Sequence, residues 1–252
     1  MSAEPLPEII AHRGNASEYP ENTLEALESA IALGVRYVEF DVQLTSDRVP
    51  VLFHDVDLAR VANRPDSVHD ISWSQFADYP VGELERFGSR YANVKPPGLS
   101  QVATALARWD GVTAFVELKR SSIRKFGRET VLNRVLKELT PILDRCVLIS
   151  FDLPCLKIAR VMGRARIGWV LTSYDEASLA EATALKPEFL FANHDKLPAD
   201  NSPLWRGSWD WAIYEVRDLR TAQKLRGRGA RFVETMTVRG LMKAFEESRR
   251  QW

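Results

Sequence analysis

The sequence has few cysteines, no long apolar run and no excess of charge of either sign. Cys146 and Cys155 are the only cysteines among 252 residues, which excludes a disulfide framework and indicates a reducing compartment. No run of about 18 apolar residues occurs, so we expect no membrane-spanning segment. The 34 basic and 34 acidic side chains balance, which argues against nucleic-acid binding. The N-terminus has no charged start followed by an apolar stretch, so we expect no signal peptide and a cytoplasmic protein.

Apolar runs of strand length alternate with segments of helical period along most of the chain. The strand-like runs are EIIAHRG, YVEFDVQL, VPVLFHD, AFVELKR, CVLISFD, RIGWVL, EFLFANHD, WAIYEV and RFVET. Such alternation is typical of βαβ units with a parallel sheet. If VPVLFHD is an extension paired beside the second strand, eight strands remain. A closed (β/α)₈ barrel takes about 250 residues, so we predict an α/β protein with a TIM-barrel fold.

The first helical segment carries recognisable boundary signals. In NTLEALESAIALG, Asn22 is placed to cap the start, with Glu25 three residues later, and Gly34 follows the end. These residue types are typical of an N-cap, a capping box and a C-terminal stop. We therefore predict a helix that begins directly after Asn22.

The segment from about 57 to 97 breaks the alternation and is rich in polar and aromatic residues. We interpret it as a small insertion after the second barrel strand, within a single domain of residues 1–252. Because it follows His54, we expect it over or beside the barrel mouth. Its aromatic residues either form a core of their own or, for one or two of them, line the substrate pocket. They are Trp73, Phe76, Tyr79, Phe87 and Tyr91.

Two strand-like runs carry charged residues at alternate positions. YVEFDVQL holds Glu39 and Asp41, and FVELKR holds Glu117 and Lys119. Residues two apart on a strand share a face. A half-exposed strand explains either pair alone, but the strands of a parallel barrel are covered on both faces. Three carboxylates meeting there repel one another without a cation, and all-oxygen ligation suits one divalent ion, Mg²⁺ or Ca²⁺.

Two of the four histidines lie at predicted strand ends beside a charged residue. These are His12 in HRG and His54 in HD. A lone histidine is usually structural, and we give that interpretation to His69 and His194. Two histidines at the carboxyl ends of neighbouring strands, next to the carboxylates, instead indicate catalysis, because the active sites of (β/α)₈ barrels lie at this mouth.

The N-terminal part of the chain resembles the glycerophosphodiester phosphodiesterase family. It carries HRG, PENT, an alanine-rich helix, a glycine, an E-x-D strand, a T-x-D turn and HD ahead of a leucine, in that order. FVELK resembles the family's third metal strand, LISFD its SF element, and WAIYEVRDLRTAQKLRGRGARFVET its last two strands. The resemblance runs nearly end to end. It implies a (β/α)₈ barrel that hydrolyses glycerophosphodiesters to glycerol 3-phosphate and an alcohol with one divalent metal.

The resemblance also implies roles for individual residues. The implied acid–base pair is His12 and His54. The implied metal ligands are Glu39, Asp41 and Glu117. The residues expected to face the phosphate are Arg13 and Lys119, and those expected to form a substrate wall are Phe151 and Tyr214. Each residue type suits its role, since an arginine fork matches two phosphate oxygens and histidines titrate near neutral pH.

Three positions depart from the family pattern. Arg48 stands where the turn before the HD strand usually has glycine, and we expect this to concern turn geometry. Tyr214 replaces the usual tryptophan of the seventh strand, so the alcohol or glycerol subsite is expected to differ. Glu234 and Thr235 replace the usual T-D of the eighth strand, with an expected change in substrate contacts at the mouth.

Two alternatives stay open. One is a related phospholipase D-like phosphodiesterase or lyase acting on choline phospholipids or lysophospholipids, although its spider-toxin members are secreted and disulfide-bonded. The other is a barrel that binds polyol phosphates without catalysis, which would be marked by loss of a histidine or a metal carboxylate. We expect a small-molecule substrate, no nucleic-acid partner and no membrane insertion. A monomer and a homodimer both remain open.

Overall fold

The structure is a computed structural model that describes residues 6–162 and 165–250. The nine strands within these ranges belong to one sheet. Eight of them run parallel and close into a ring, because the first strand pairs with both the second and the last. The strands are β1 (Glu8–His12), β2 (Tyr37–Leu44), β3 (Pro50–Leu52), β4 (Thr113–Leu118), β5 (Cys146–Ser150), β6 (Arg166–Val170), β7 (Phe189–Asn193), β8 (Asp210–Tyr214) and β9 (Phe232–Thr235).

Strand β3 lies outside the parallel ring. It pairs antiparallel with β2, with Val42 opposite Leu52. The turn between the two strands holds Arg48 at a φ of +61°, a left-handed conformation that favours glycine, so this departure does concern turn geometry. The predicted extension beside the second strand and the predicted TIM barrel are both confirmed.

Helices connect the strands and cover the outside of the ring. They are α1 (Leu24–Ala32), α2 (Ala59–Ala62), α3 (Trp73–Phe76), α4 (Leu84–Phe87), α5 (Leu99–Ala107), α6 (Arg120–Phe126), α7 (Arg128–Leu139), α8 (Leu153–Met162), α9 (Glu176–Leu185), α10 (Leu219–Gly227) and α11 (Val238–Arg250). Within the described ranges, every helix is too short or too polar to cross a membrane.

Helix α1 is capped one residue later than its sequence indicates. Thr23 is the N-cap, and its hydroxyl oxygen accepts a hydrogen bond from the backbone N–H of Ala26 at 3.2 Å. The prediction that Asn22 caps the helix is wrong. The Asn22 side chain instead donates to Asp41 Oδ2 at 2.9 Å and accepts from the Asp41 backbone N–H at 3.0 Å, so it supports the barrel mouth.

The alternation of side chains along the strands separates two apolar cores. Val38, Phe40 and Val42 of β2 point outward and are fully buried in the core beneath the helices. The inner faces build a second core inside the barrel, consisting of Ile10, Phe115, Val147, Ile149, Val170, Phe189, Phe191, Ala212 and Phe232. This cluster fills the middle of the barrel, and the candidate site residues lie beyond it, at the carboxyl ends of the strands.

The segment 57–97 and the β3 region together form an apolar cluster that is separate from the two barrel cores. Three of the segment's aromatic residues belong to this cluster, namely Trp73, Phe76 and Tyr79. The other two pack against each other with ring centroids 5.2 Å apart, namely Phe87 and Tyr91. None of the five lines the pocket at the barrel mouth. The alternative that one or two of them line it is therefore wrong.

Hydrogen bonds fasten this segment to the loop that follows β1. Buried Glu83 accepts the backbone N–H of Glu21 on Oε1 at 2.7 Å. The Tyr91 hydroxyl donates to the carbonyl of Glu18 at 2.8 Å. The segment therefore lies beside the mouth, and it supports the β1 loop without entering the pocket.

Gly14, in the loop after β1, lies where no side chain fits. Its φ is +81°, and a Cβ atom placed on it would lie 2.5 Å from the carbonyl carbon of Ala26 in α1. The next residue, Asn15, donates its backbone N–H to the Ala26 carbonyl at 2.8 Å. The glycine thus allows the loop to pack directly on the helix.

We expect Gly14→Ala to lower the free energy of unfolding by about 2–4 kcal/mol, because it combines backbone strain with overpacking. The matched control is Gly229→Ala. Gly229 has a φ of +107° but no atom within 4 Å of an added Cβ, so its loss is expected to be about 1 kcal/mol from strain alone. Urea denaturation of both variants measures the difference, and equal losses would contradict the packing argument.

Candidate active site

Polar side chains from four adjacent strands meet at the carboxyl end of the barrel. Strands β9, β1, β2 and β4 are neighbours in the ring. Their inner faces carry His12, Glu39, Asp41, Glu117 and Glu234. A pocket of about 120 Å³ opens among them. Its polar walls include both residues predicted to face phosphate and both predicted catalytic histidines, namely Arg13, Lys119, His12 and His54.

Asp41 is fully buried and surrounded by compensating groups. Besides the amide of Asn22, Arg13 Nε lies 3.1 Å from Oδ2. Lys119 Nζ lies 3.0 Å from Asp41 Oδ1 and 3.0 Å from Glu117 Oε1, so one ammonium bridges two carboxylates. Burial alone would raise the pKa of Asp41, but Lys119 and Arg13 hold that pKa well below its usual range. Asp41 is therefore ionised.

Glu39 is less well compensated. Its Oε2 accepts the backbone N–H of Arg13 at 3.0 Å and lies 3.9 Å from His12 Nε2. Its Oε1 is buried and has no hydrogen-bond partner among residues 6–162 and 165–250. Burial, followed by the nearby carboxylates of Asp41 and Glu234, raises the pKa of Glu39 well above its usual range. A buried acceptor left unpaired costs roughly 1–3 kcal/mol, which makes this oxygen a ready ligand.

The three predicted metal ligands are brought together. Ligand oxygens of Glu39, Asp41 and Glu117 lie within 4.8 Å of one another. Oxygens on opposite sides of a bound Mg²⁺ or Ca²⁺ ion are about 4–5 Å apart, so the three side chains fit one such ion. A cation there would also give Glu39 Oε1 the partner it lacks. The all-oxygen donor set suits a hard divalent ion better than zinc.

The two histidines differ in their surroundings. His12 ends β1 and is 9% exposed. Burial and the adjacent Arg13 guanidinium lower the pKa of His12 to about 3, so its imidazole is neutral at neutral pH. His54 follows β3, and its Nδ1 lies 2.6 Å from Asp55 Oδ1. This contact orients the ring and leaves its Nε2 unconstrained by Asp55.

A chain of alternating charges links His54 to the carboxylate group. Arg60 donates Nε to Asp55 Oδ2 at 2.7 Å and Nη2 to Glu21 Oε1 at 2.7 Å. Arg13 Nη1 donates to the same Glu21 oxygen at 2.9 Å. Sequence reasoning missed Glu21, Asp55 and Arg60 as site residues. Their signal was present, because Glu21 belongs to PENT and Asp55 to HD, but their pairing depends on the fold.

Gln43 holds the backbone that carries His54. Its Nε2 donates to the carbonyls of His54 at 3.0 Å and Asp55 at 3.2 Å. Its Oε1 accepts from the hydroxyl of Ser122 at 2.7 Å and lies 3.1 Å from His69 Nε2. His69 is buried in this network, in keeping with its structural interpretation. Sequence reasoning also missed Gln43, which continues the inner face of β2 beyond Asp41.

Glu234 lies much closer to this centre than its sequence position suggested. It is 3% exposed on the inner face of β9 and forms a group within 4.8 Å with His12 and Glu39. Its Oε1 is buried and unpaired in the part of the chain that the structure describes. Burial, then Glu117 and Asp41, raises its pKa well above the usual range. The alternation in FVET could have found it, since it shares a face with Phe232.

The remaining pocket wall is mostly apolar. Phe151 and Tyr214, the two predicted wall residues, both line the pocket, together with Val170 and Phe191. Tyr214 is half-buried, and burial followed by the charge of Glu234 raises its pKa to about 12. Its hydroxyl therefore stays protonated at neutral pH. The pocket thus has one strongly charged side and one apolar, aromatic side.

Known sequences resemble this chain over much of its length. The sequence model described as the glycerophosphoryl diester phosphodiesterase family matches residues 12–161. A glycerophosphodiester phosphodiesterase of Caldanaerobacter subterraneus is 31% identical over 144 residues, which are 57% of this chain and 58% of that protein. The alignment therefore spans less than two thirds of that relative.

Solved structures share the fold. A phosphodiesterase of Oleispira antarctica, determined in complex with the product sn-glycerol-3-phosphate, superimposes with a TM-score of 0.82 at 21% identity, covering 96% of this chain and 97% of that one. A glycerophosphodiester phosphodiesterase of Thermotoga maritima gives a TM-score of 0.69 at 22% identity, covering 91% and 94%. Since the family's sequence model covers more than half of the chain and the barrel is shared, this chain belongs to the glycerophosphoryl diester phosphodiesterase family.

Proposed function

We propose that this protein hydrolyses glycerophosphodiesters to sn-glycerol 3-phosphate and an alcohol, with one divalent cation, Mg²⁺ or Ca²⁺. The observation that carries the proposal is the meeting of three carboxylates within 4.8 Å in one mouth with two histidines. Family membership supports the reaction class. Release of alcohol and glycerol 3-phosphate from glycerophosphoethanolamine, with and without chelator, tests it, and a cyclic phosphate as final product would indicate the lyase alternative.

Glu39, Asp41 and Glu117 are the proposed ligands of the cation. When bound, the cation supplies Lewis-acid stabilisation of the negative charge on the phosphodiester. In the structure, Lys119 already lies between Asp41 and Glu117. We propose that cation binding releases part of this pairing, so that the ammonium can face the substrate phosphate.

Arg13 and Lys119 are the proposed phosphate-binding residues. Both line the pocket and are nearly buried, where charge–charge attraction is stronger than in water. Burial and ion pairing act against each other on both groups, and the carboxylates raise the pKa of each above its usual value. They therefore remain positive at any physiological pH and bind the anionic substrate.

His12 and His54 are the proposed acid–base pair. Hydrolysis needs one group to take a proton from the attacking hydroxyl and another to give a proton to the leaving alkoxide. Burial and Arg13 lower the pKa of His12 to about 3, so its imidazole is unprotonated at neutral pH and able to accept a proton. Its position beside Glu39 at the mouth supports the role of base. His54, oriented by Asp55, supports the complementary role of acid.

We also propose that the barrel and the segment 57–97 work as one domain. The hydrogen bond from the Glu21 N–H to Glu83 ties the segment to the same loop whose Glu21 side chain holds Arg13 and Arg60. Loss of the segment would therefore loosen a phosphate-binding residue.

We expect Glu39→Gln to lose metal binding and turnover together, because the substitution removes one of three anionic ligands and keeps the size of the side chain. Calorimetric titration with Mg²⁺ or Ca²⁺ and assay of glycerophosphoethanolamine hydrolysis measure both. The control is Asp70→Asn, which changes charge at a carboxylate that is 65% exposed. Normal metal affinity in Glu39→Gln would end the assignment of this ligand.

We expect His12→Ala and His54→Ala each to lower kcat by about 10²- to 10⁴-fold, the range of general acid–base groups. Both residues lie at the mouth and outside the packed barrel core, so the unfolding midpoint should change little. His194→Ala, outside the pocket lining, serves as control. A variant of either mouth histidine that turns over like the wild type at saturating metal and substrate would remove that histidine from the mechanism.

We expect deacylated substrates such as glycerophosphocholine or glycerophosphoethanolamine to be cleaved much faster than their parent phospholipids. The pocket of about 120 Å³ is small, and a deacylated substrate places less bulk at this mouth than a diacyl phospholipid does. Alcohol release from both substrate classes at equal metal concentration decides the question. Faster cleavage of intact phospholipid in mixed micelles would overturn this expectation.

A further inference from the structure

Among the described residues, the buried carboxylate of Glu234 forms no ion pair within 4.0 Å, and Arg13 is the cation whose charge acts on it. Asp41 and Glu117 each lie 3.0 Å from the ammonium of Lys119. Glu215, at the rim of the same pocket, lies 3.3 Å from the guanidinium of Arg217. Glu234, by contrast, is 3% exposed with Oε1 unpaired in the ranges described. Such a buried charge is costly unless a cation pairs with it.

The cation proposed for Glu39, Asp41 and Glu117 does not resolve this imbalance. Glu234 forms a 4.8 Å group only with His12 and Glu39, and it is not a member of the group that includes Asp41 and Glu117. One ion held by the latter group therefore serves Glu39 and leaves Glu234 without a partner. Beyond its metal ligands, the pocket therefore has a buried carboxyl group whose ionised form a bound cation would stabilise.

Tyr214 lies next to this carboxyl group. Strands β8 and β9 pair with Ile213 opposite Val233, so Tyr214 and Glu234 follow at the next position, both facing the pocket. Across the pocket are apolar and aromatic side chains, among them Phe151 and Phe191. A carboxylate beside an aromatic ring, with apolar surface nearby, is the environment that suits an alkylated ammonium group.

We propose that Tyr214 and Glu234 form a subsite for a positively charged alcohol, so that the preferred substrates are glycerophosphodiesters whose leaving group carries an alkylammonium. This inference rests on the proposed function and deepens it. Glu234 would pair with the positive charge, and the Tyr214 ring would cover its methylene or methyl groups. Choline and ethanolamine have this chemistry, whereas glycerol and inositol do not.

A second inorganic cation at His12, Glu39 and Glu234 is the competing explanation. It would need the ring nitrogen of His12, which the proposed mechanism uses for proton transfer. It also gives no role to Tyr214 or to the apolar wall, because hard cations prefer oxygen ligands and retain water. An organic cation gives a role to Tyr214 and to the apolar wall. The experiment below distinguishes it from an inorganic cation.

The test compares glycerophosphocholine with its uncharged isostere, in which 3,3-dimethylbutanol replaces choline. The two compounds have the same shape and differ in one charge. We expect wild-type kcat/KM to favour glycerophosphocholine by about 10- to 100-fold, the range of a buried charge-assisted contact. In Glu234→Gln this preference should fall towards one, mainly through slower cleavage of the cationic substrate.

Two control variants separate charge from position. Asp195→Asn removes one negative charge from a carboxylate that is 78% exposed outside the pocket, and it should keep the wild-type preference. Tyr214→Phe should keep the preference as well, whereas Tyr214→Leu should lower it by about threefold to tenfold through loss of the cation–π contact.

Each outcome bears on the proposal. A wild-type preference near one, or an unchanged preference in Glu234→Gln, overturns it. Equal loss of both substrates in Glu234→Gln, or loss of Mg²⁺ affinity comparable to that of Glu39→Gln, also overturns it and indicates a catalytic or metal-binding role. If the wild type cleaves neither compound, the proposed function fails instead. Calorimetric binding of both compounds to the His54→Ala variant still tests the subsite in that case.

Discussion

The structure of this site depends on the repulsion among carboxylates that the barrel forces together. Parallel strands in a closed ring must turn one face inward, and three of these inward faces, those of β2, β4 and β9, carry acidic residues around one small pocket. Each of these groups has lost most of its hydration. Burial together with mutual repulsion raises the pKa values of Glu39, Glu117 and Glu234. Arg13, Lys119 and Asn22 supply positive charge or hydrogen-bond donors to this group.

The positive charges and hydrogen-bond donors are distributed unevenly among the carboxylates, and this unevenness indicates function. Asp41 receives an ammonium, a guanidinium and an amide, and its pKa is lowered. Glu39 and Glu234 each keep a buried oxygen without a partner in the described residues. A structural ion-pair network would be expected to satisfy all its members. The two unsatisfied oxygens lie where we propose that external cations bind, an inorganic one at Glu39 and an organic one at Glu234.

Ion pairs between loops fix the positions of the charged groups around the carboxylates. Arg13 reaches both Asp41 and Glu21, and Arg60 joins Glu21 to Asp55, which in turn orients His54. The segment 57–97 contributes no pocket residue, yet its Glu83 fixes the backbone of Glu21. Elements far apart in the chain thus position one histidine and one arginine through fixed charge pairs. These pairs explain how a polar, solvent-edged mouth can hold the proposed catalytic groups at defined distances.

The sequence by itself determined the barrel and its extra strand, and it identified the candidate site residues, because strand–helix alternation and the i, i+2 rule are local properties. It identified His12, Glu39, Asp41 and Glu117 as inward-facing, and the structure brings these side chains together. It did not determine that Asn22 leaves the helix cap for Asp41, nor that Arg60 joins Glu21. It placed Glu234 at the mouth but did not show that this residue lies beside His12 and Glu39. Those contacts join residues from different βα units, and only closure of the ring decides which side chains meet and which buried charge stays unpaired.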